Sequence, residues 1–159
     1  MTINCDTVDG KHANELTFNS SVRAFRTAAL THTLAGNWQK VALETKTGTG
    51  GWDTLGEFDE VTNYRFTALA AGTYQVNASI RFNTAAAGAG TIALFVNGAQ
   101  RAQGSLSLIS SAPGIVVSDI VVLAAGGYIE LYGYQSSAGN LAYIVGAPYV
   151  NYLSIHRIA

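Results

Sequence analysis

Residues 73–82 alternate strictly: Tyr74, Val76, Ala78, Ile80 and Phe82 take every second position, with polar residues between most of them. A period of two places those five side chains on one face of a β-strand and is incompatible with a helix of 3.6 residues per turn. Residues 38–45, 62–69, 91–96, 99–109, 115–123, 128–135, 141–145 and 149–157 also read as strands, bounded by turn-forming residues. Asn97-Gly98 between two such runs is the strongest short hairpin signal. Residues 85–90 and Ala124-Ala125-Gly126-Gly127 read as turns, and Thr47-Gly48-Thr49-Gly50-Gly51 as a flexible loop. Glu and Lys are too sparse, and Gly, Thr and Val too common, for long helices. Eight to ten strands without a helix predict an all-β sandwich or barrel, best matched by a jelly roll. Residues 1–21 are polar and aperiodic, so a segment over 1–21 is expected to precede a head domain over 22–159.

Charge is scarce in this chain. Only 12% of the 159 residues are charged, about half the usual share, while 48% are hydrophobic. Residues 82–100, 102–118 and 131–155 hold no Asp, Glu, Lys or Arg. Such a surface is either solvated by Thr, Ser, Asn and Gln or covered by sister chains, and the second reading is favoured. The net charge of −1 gives no basic stripe for nucleic acid and no attraction to an anionic membrane. Gly, Ser, Gln or Asn interrupt every uncharged stretch, so none supplies the roughly 20 apolar residues of a membrane-spanning helix. Residues 1–10 lack a basic start and an apolar core, so no secretory signal is expected. The single cysteine, Cys5, rules out an internal disulfide framework.

Two strands carry apolar or aromatic residues on both faces. Around Ile129 and Leu131, the other face holds Tyr128, Tyr132 and Tyr134. Over 115–123, Val116, Ile120 and Val122 oppose Ile115, Val117, Val121 and Leu123. An antiparallel strand apolar on both sides needs a cover for its outer face. These six residues (Tyr128, Tyr132, Tyr134, Val116, Ile120 and Val122) are therefore the candidate subunit interface, set against ordinary surface tyrosines.

Several elements, in order, resemble the complement C1q-like domain. Phe66-Thr67-Ala68-Leu69-Ala70-Ala71-Gly72-Thr73-Tyr74-Gln75-Val76 is similar to its F-x5-G-x-Y-x-F signature, with Val76 in place of the last aromatic. Trp38-Gln39-Lys40-Val41 resembles the W-x-K-V strand, and Leu94-Phe95-Val96-Asn97-Gly98 the A-L-Y-K-N-G hairpin. The run from Ile120 to Leu131 is similar to V-x-x-L-x-x-G-D-x-V-x-V, and Tyr152-Leu153-Ser154-Ile155 stands at the closing strand. The resemblance implies a ten-stranded jelly roll of the C1q and tumour-necrosis-factor type, assembled as a homotrimer whose head follows a stalk and binds ligands. Upstream, Asp6-Thr7-Val8-Asp9-Gly10-Lys11-His12-Ala13-Asn14-Glu15-Leu16 resembles the D-T-V-D-G-x-H-A-x-x-F element of bacteriophage tail-fibre and related virion proteins, with Leu16 at the aromatic position. That implies a fibre shaft or other virion proteins as upstream partners and the virion as the final location, after synthesis in the bacterial cytoplasm. A bacterial surface or spore-coat protein with the same head is the alternative.

Catalytic patterns are absent. His12, His32 and His156 show no zinc spacing, no G-x-S-x-G elbow occurs, and Gly48-Thr49-Gly50-Gly51 lacks the Lys-Ser or Lys-Thr of a phosphate loop. Asp53, Glu57, Asp59 and Glu60 form the one acidic concentration. A hard cation takes several such oxygens, so Asp53, Glu57 and Asp59 are the candidate calcium ligands. Their spacing matches no fixed calcium loop, which favours a solvated loop. For ligand binding, loop aromatics and amides stand out: Trp52, Asp53, Asn140 and Tyr143 suit a sugar ring and its hydroxyls. The expected function is a non-enzymatic, trimeric tail-fibre head that binds a host-surface glycan or protein. The alternatives are a structural trimerisation or capping domain, and a polysaccharide depolymerase working through paired carboxylates.

Overall fold

The computed structural model describes residues 7–8, 11–12, 20–33, 36–83, 88–108, 114–144 and 147–159, with backbone alone at 7–8, 11–12 and 107–108. In chain order the strands are β1 (Thr7–Val8), β2 (Lys11–His12), β3 (Ser21–Phe25), β4 (Thr31–His32) and β5 (Gln39–Lys40). Next come β6 (Trp52–Asp53), β7 (Phe58–Asp59), β8 (Arg65–Thr67), β9 (Gly72–Asn83) and β10 (Gly88–Val96). The last five are β11 (Ala99–Leu108), β12 (Gly114–Leu123), β13 (Tyr128–Gln135), β14 (Leu141–Tyr143) and β15 (Tyr152–Arg157). Strands β1 and β2 pair antiparallel on either side of Asp9-Gly10. Most of the tail-fibre-like element, Cys5, residues 85–87, Ile109 and Val145 lie outside the described residues.

Two antiparallel sheets enclose the core. One has the order β11-β10-β13-β8-β7, with β5 also on β13; the other runs β4-β14-β9-β15-β3-β6, with β12 on the far side of β9 from β15. The five alternating residues of β9 are all buried, at 1% exposure or less, as the sequence predicts. Ile129 and Leu131 of β13 meet them from the other sheet, and Phe66 packs edge-on to Tyr74 with ring centroids 5.4 Å apart. At Asn97-Gly98 both residues have positive φ, 51° and 80°, which twists the β10–β11 hairpin in the sense its strands require.

At one margin the two sheets nearly touch. A Cβ on Gly104 of β11 would collide with the carbonyl oxygen of Val116 on β12, so only glycine lets these strands approach so closely. Beside that contact Arg101 of β11 pairs with Asp119 of β12 at 3.2 Å. The chain also enters and leaves the sandwich at one end, where the Arg157 amide donates to the Ser20 carbonyl at 2.9 Å.

Four expected strands are shorter than the sequence suggests, and one expected turn is strand. Residues 38–45 contribute only β5 and an isolated bridge from Thr45 to Phe25. Within 62–69 the first residues are a turn, because the Asp59 carboxylate accepts from the amides of Val61, Thr62 and Asn63 at 2.9–3.0 Å. Tyr64 then takes a positive φ of 48° and the strand begins at Arg65. The strand expected over 141–145 ends at Tyr143, and that expected over 149–157 begins at Tyr152 because 148–150 form a turn. Conversely, Gly88, Ala89 and Gly90 continue β10, paired with Leu108, Ser107 and Leu106, since ladder hydrogen bonds need no side chain.

Candidate functional site

The acidic concentration is built into the fold and not around a cation. Asp53 is fixed by three donors: Lys46 Nζ at 2.9 Å, the Glu57 amide at 2.9 Å and the Phe58 amide at 3.0 Å. Burial raises its pKa, but the hydrogen bonds from Lys46 and those two amides outweigh it and hold the carboxyl below the ordinary value. Glu57 is buried, accepting from Ser20 Oγ at 2.5 Å and from the Leu69 amide at 3.0 Å. Asp59 serves the 61–63 turn, whose amides, Thr62 first and Val61 next, pull its pKa far below the carboxylate range. Glu60 accepts from the Lys46 amide at 3.1 Å. Asp53, Glu57 and Asp59 each address a different set of protein donors, and no three of His, Cys, Asp and Glu converge among the described residues. These oxygens are engaged by backbone amides, the Ser20 hydroxyl, the Asn63 side-chain amide and Lys46, so the candidate calcium ligands act here as structural acceptors.

The four candidate ligand residues do not form one site. Trp52 lies on edge strand β6, 43% exposed, its indole N–H donating to Ser21 Oγ at 2.8 Å. Asp53 follows it with its side chain 4% exposed in the ion pair with Lys46. Asn140 is exposed on the loop before β14. Tyr143 is core: 2% exposed, stacked on Phe82 at 4.9 Å, with its hydroxyl 3.1 Å from His32 Nδ1. Burial pushes its phenol pKa well above the ordinary value. From strand spacing and rise, Trp52 and Tyr143 stand on the order of 20 Å apart. Tyr143 is thus corrected from a ligand contact to a packing residue, held by alternation with buried Leu141.

The six candidate interface residues divide between the outer faces of the two sheets. Tyr128, Tyr132 and Tyr134 are half-buried and have intrachain partners: Tyr132 lies 4.4 Å from Phe95, Tyr134 5.5 Å from Trp38, and Arg65 sits 4.3 Å over Tyr128. Their face also carries the Lys40–Glu130 ion pair, at 2.5 Å. Val116, Ile120 and Val122, by contrast, are 68%, 51% and 78% exposed on β12. Register sets them beside Ser79, Gln75 and Thr73 of β9, with Ser118 and Asn77 sharing a hydrogen bond of 2.9 Å between them.

Two residues that sequence reading passed over join Trp52 on this face. Arg23 of β3 is paired with Trp52 in register, and Tyr152 of β15 approaches it from the other side; the guanidinium carbon is 6.0 Å and 3.9 Å from the two ring centroids. The glycine-rich loop before β6 closes against the same region. Gly50 has φ of 99° and packs on Pro148 so tightly that a Cβ would lie 2.6 Å from its ring. That contact accounts for Gly50, and a Cβ on Gly51 would meet the Phe25 ring, so both glycines are explained by packing without any phosphate.

No family model matches the sequence, and neither does any curated protein. Solved structures do share its architecture. Eiger, a TNF of S. frugiperda, superposes with a TM-score of 0.67 at 11% identity, over 88% of this chain and 92% of that one. The globular domain of zebrafish complement 1qA gives 0.62 at 13% identity, over 88% and 98%. Murine APRIL gives 0.56 at 12% identity, over 87% and 98%. Likeness at such identities establishes the fold, which is a jelly roll of the C1q and TNF type, as the sequence led us to expect.

Proposed function

We propose that this chain is the non-enzymatic head of a trimeric virion fibre, a phage or prophage tail-fibre tip that engages a glycan or protein on the host surface. The observation that carries the assembly part is the row Val116, Ile120 and Val122. Three large aliphatic side chains more than half exposed on one strand form an apolar edge that water solvates poorly. Their neighbours on β9 are uncharged Ser, Asn, Gln and Thr, so a second copy can cover the region without burying an unpaired charge. The tyrosine face has charges and intrachain partners of its own, and the reading gives it the lesser part in assembly.

The absence of an enzymatic role is supported by the state of the carboxylates. Every acidic side chain among the described residues accepts a hydrogen bond from its own chain, which gives each of them a structural task. The fibre setting rests on the resemblance of residues 6–16, and the position of Ser20 beside Arg157 fits a head fed from one end. Solution mass and host adsorption test the reading together. A trimer that adsorbs to host cells is expected. A 16.7 kDa monomer at micromolar concentration overturns the assembly part, and a correctly folded trimer that never adsorbs leaves a capping role. Release of reducing ends from host polysaccharide would instead favour the depolymerase.

A further inference from the structure

Arg23 is a half-buried cation with no counter-ion among the described residues. The four ion pairs among the described residues engage Arg26, Lys40, Lys46 and Arg101, and none includes Arg23. One of its N–H groups, on Nη2, donates to the Pro148 carbonyl at 3.2 Å. The rings of Tyr152 and Trp52 hold the guanidinium plane through cation–π contact, which fixes the fork while leaving other donors unspent. Register extends the feature into a row on one face: Trp52 of β6, Arg23 of β3 and Ser154 of β15 are successive cross-strand partners. Beside Pro148, Tyr149 is 73% exposed.

We propose that this row binds an acidic sugar, with the carboxylate on the Arg23 fork and the sugar ring against Trp52. A guanidinium matches a carboxylate with two parallel hydrogen bonds, and the pairing supplies the negative charge that Arg23 lacks among the described residues. Trp52, 43% exposed, offers an apolar face to the C–H side of a pyranose, while Ser154 presents a hydroxyl to its oxygens. No cavity opens among the described residues, so the site is a shallow surface suited to a unit of an extended polymer. Arg23 stands three strand spacings from the β12 row, about 14 Å, toward the other side of the same sheet. The choice of a glycan rests on the receptor reading above; the anion chemistry does not.

The test uses the full chain and three probes: oligogalacturonate, its methyl ester and inorganic phosphate, followed by calorimetry and tryptophan fluorescence at low salt. Saturable binding of oligogalacturonate is expected, lost on esterification, weakened roughly ten- to hundredfold in Arg23→Gln and less in Arg23→Lys. Equal binding of the ester overturns the proposal with the native protein alone, whatever the variants do. Unchanged affinity in Arg23→Gln also overturns it, as does phosphate binding as tightly as the sugar. A fall in solution mass of the Arg23→Gln protein would make the row an assembly surface and remove the ligand. Adsorption to host cells without acidic-sugar binding sinks this inference and leaves the receptor reading standing; sugar binding without adsorption does the reverse.

Discussion

Substituting Gly133 probes the packing between the two sheets in a way that can be checked against a second substitution. Gly133 faces the core from β13, and the Tyr143 hydroxyl occupies the space a Cβ would need. Beyond that oxygen the nearest atoms are Tyr143 Cζ and Ile80 Cδ1, both at an ordinary 3.4 Å. Gly133→Ala should therefore cost about 1–3 kcal/mol, the range for overpacking a tight core. Tyr143→Phe removes the hydroxyl. His32 Nε2 faces the Asn37 carbonyl, which can only accept, so Nε2 carries the proton and Nδ1 takes its hydrogen bond from Tyr143. The buried Nδ1 then loses its Tyr143 donor, at a cost of about 1–3 kcal/mol. In the double variant the obstructing oxygen is already gone, so the alanine adds little, and a favourable coupling of about 1–2 kcal/mol is expected. Urea unfolding at one protomer concentration measures all four proteins, with constant slopes confirming a common unfolding reaction. Losses that simply add, within about 0.5 kcal/mol, would refute the account of why glycine stands at this position.

Ile120→Asp on β12 should reduce solution mass toward the monomer without lowering the monomer's own stability, since the side chain is 51% exposed; sedimentation decides it. Gly104→Ala should destabilise by about 1–3 kcal/mol, because a backbone carbonyl cannot yield as a side chain can; thermal melts read the loss. Asp53 has a folded pKa below its unfolded value, so its stabilisation is complete above about pH 4 and disappears as pH falls through the folded pKa. Acid titration of unfolding should show that decline steepening below about pH 4, and Asp53→Asn should flatten it.

The long strands were legible because one buried face imposes its period on the sequence, as in β9 and β13. Short strands were not. β5, β6 and β7 each hold two residues, too few for any alternation, and exist through their partners. The turn at Asp59 hides inside an apparently strand-like run because a single carboxylate reorganises three amides. Tyr143 could have been read correctly: its two-residue spacing from Leu141 marks a shared buried face, and proximity to a loop was the weaker signal. Arg23 and Tyr152 gave no such hint. They stand 129 positions apart and meet only because β15 lies between β3 and β9. The deep burial of Glu57 was equally unreadable, since its partner Ser20 is 37 residues away.

The junction at Ser20 also has a mechanical meaning. A pull transmitted through the residues before Ser20 runs along β3, whose hydrogen bonds to β15 lie across the strand from Phe25↔Tyr152 to Ser21↔His156. Load on such a ladder is shear, shared by all its bonds at once, whereas peeling would break them singly. The Ser20 hydroxyl on buried Glu57 adds a clamp at the point where the force enters. Built this way, the sandwich resists having β3 drawn out by a pull on the residues that precede it.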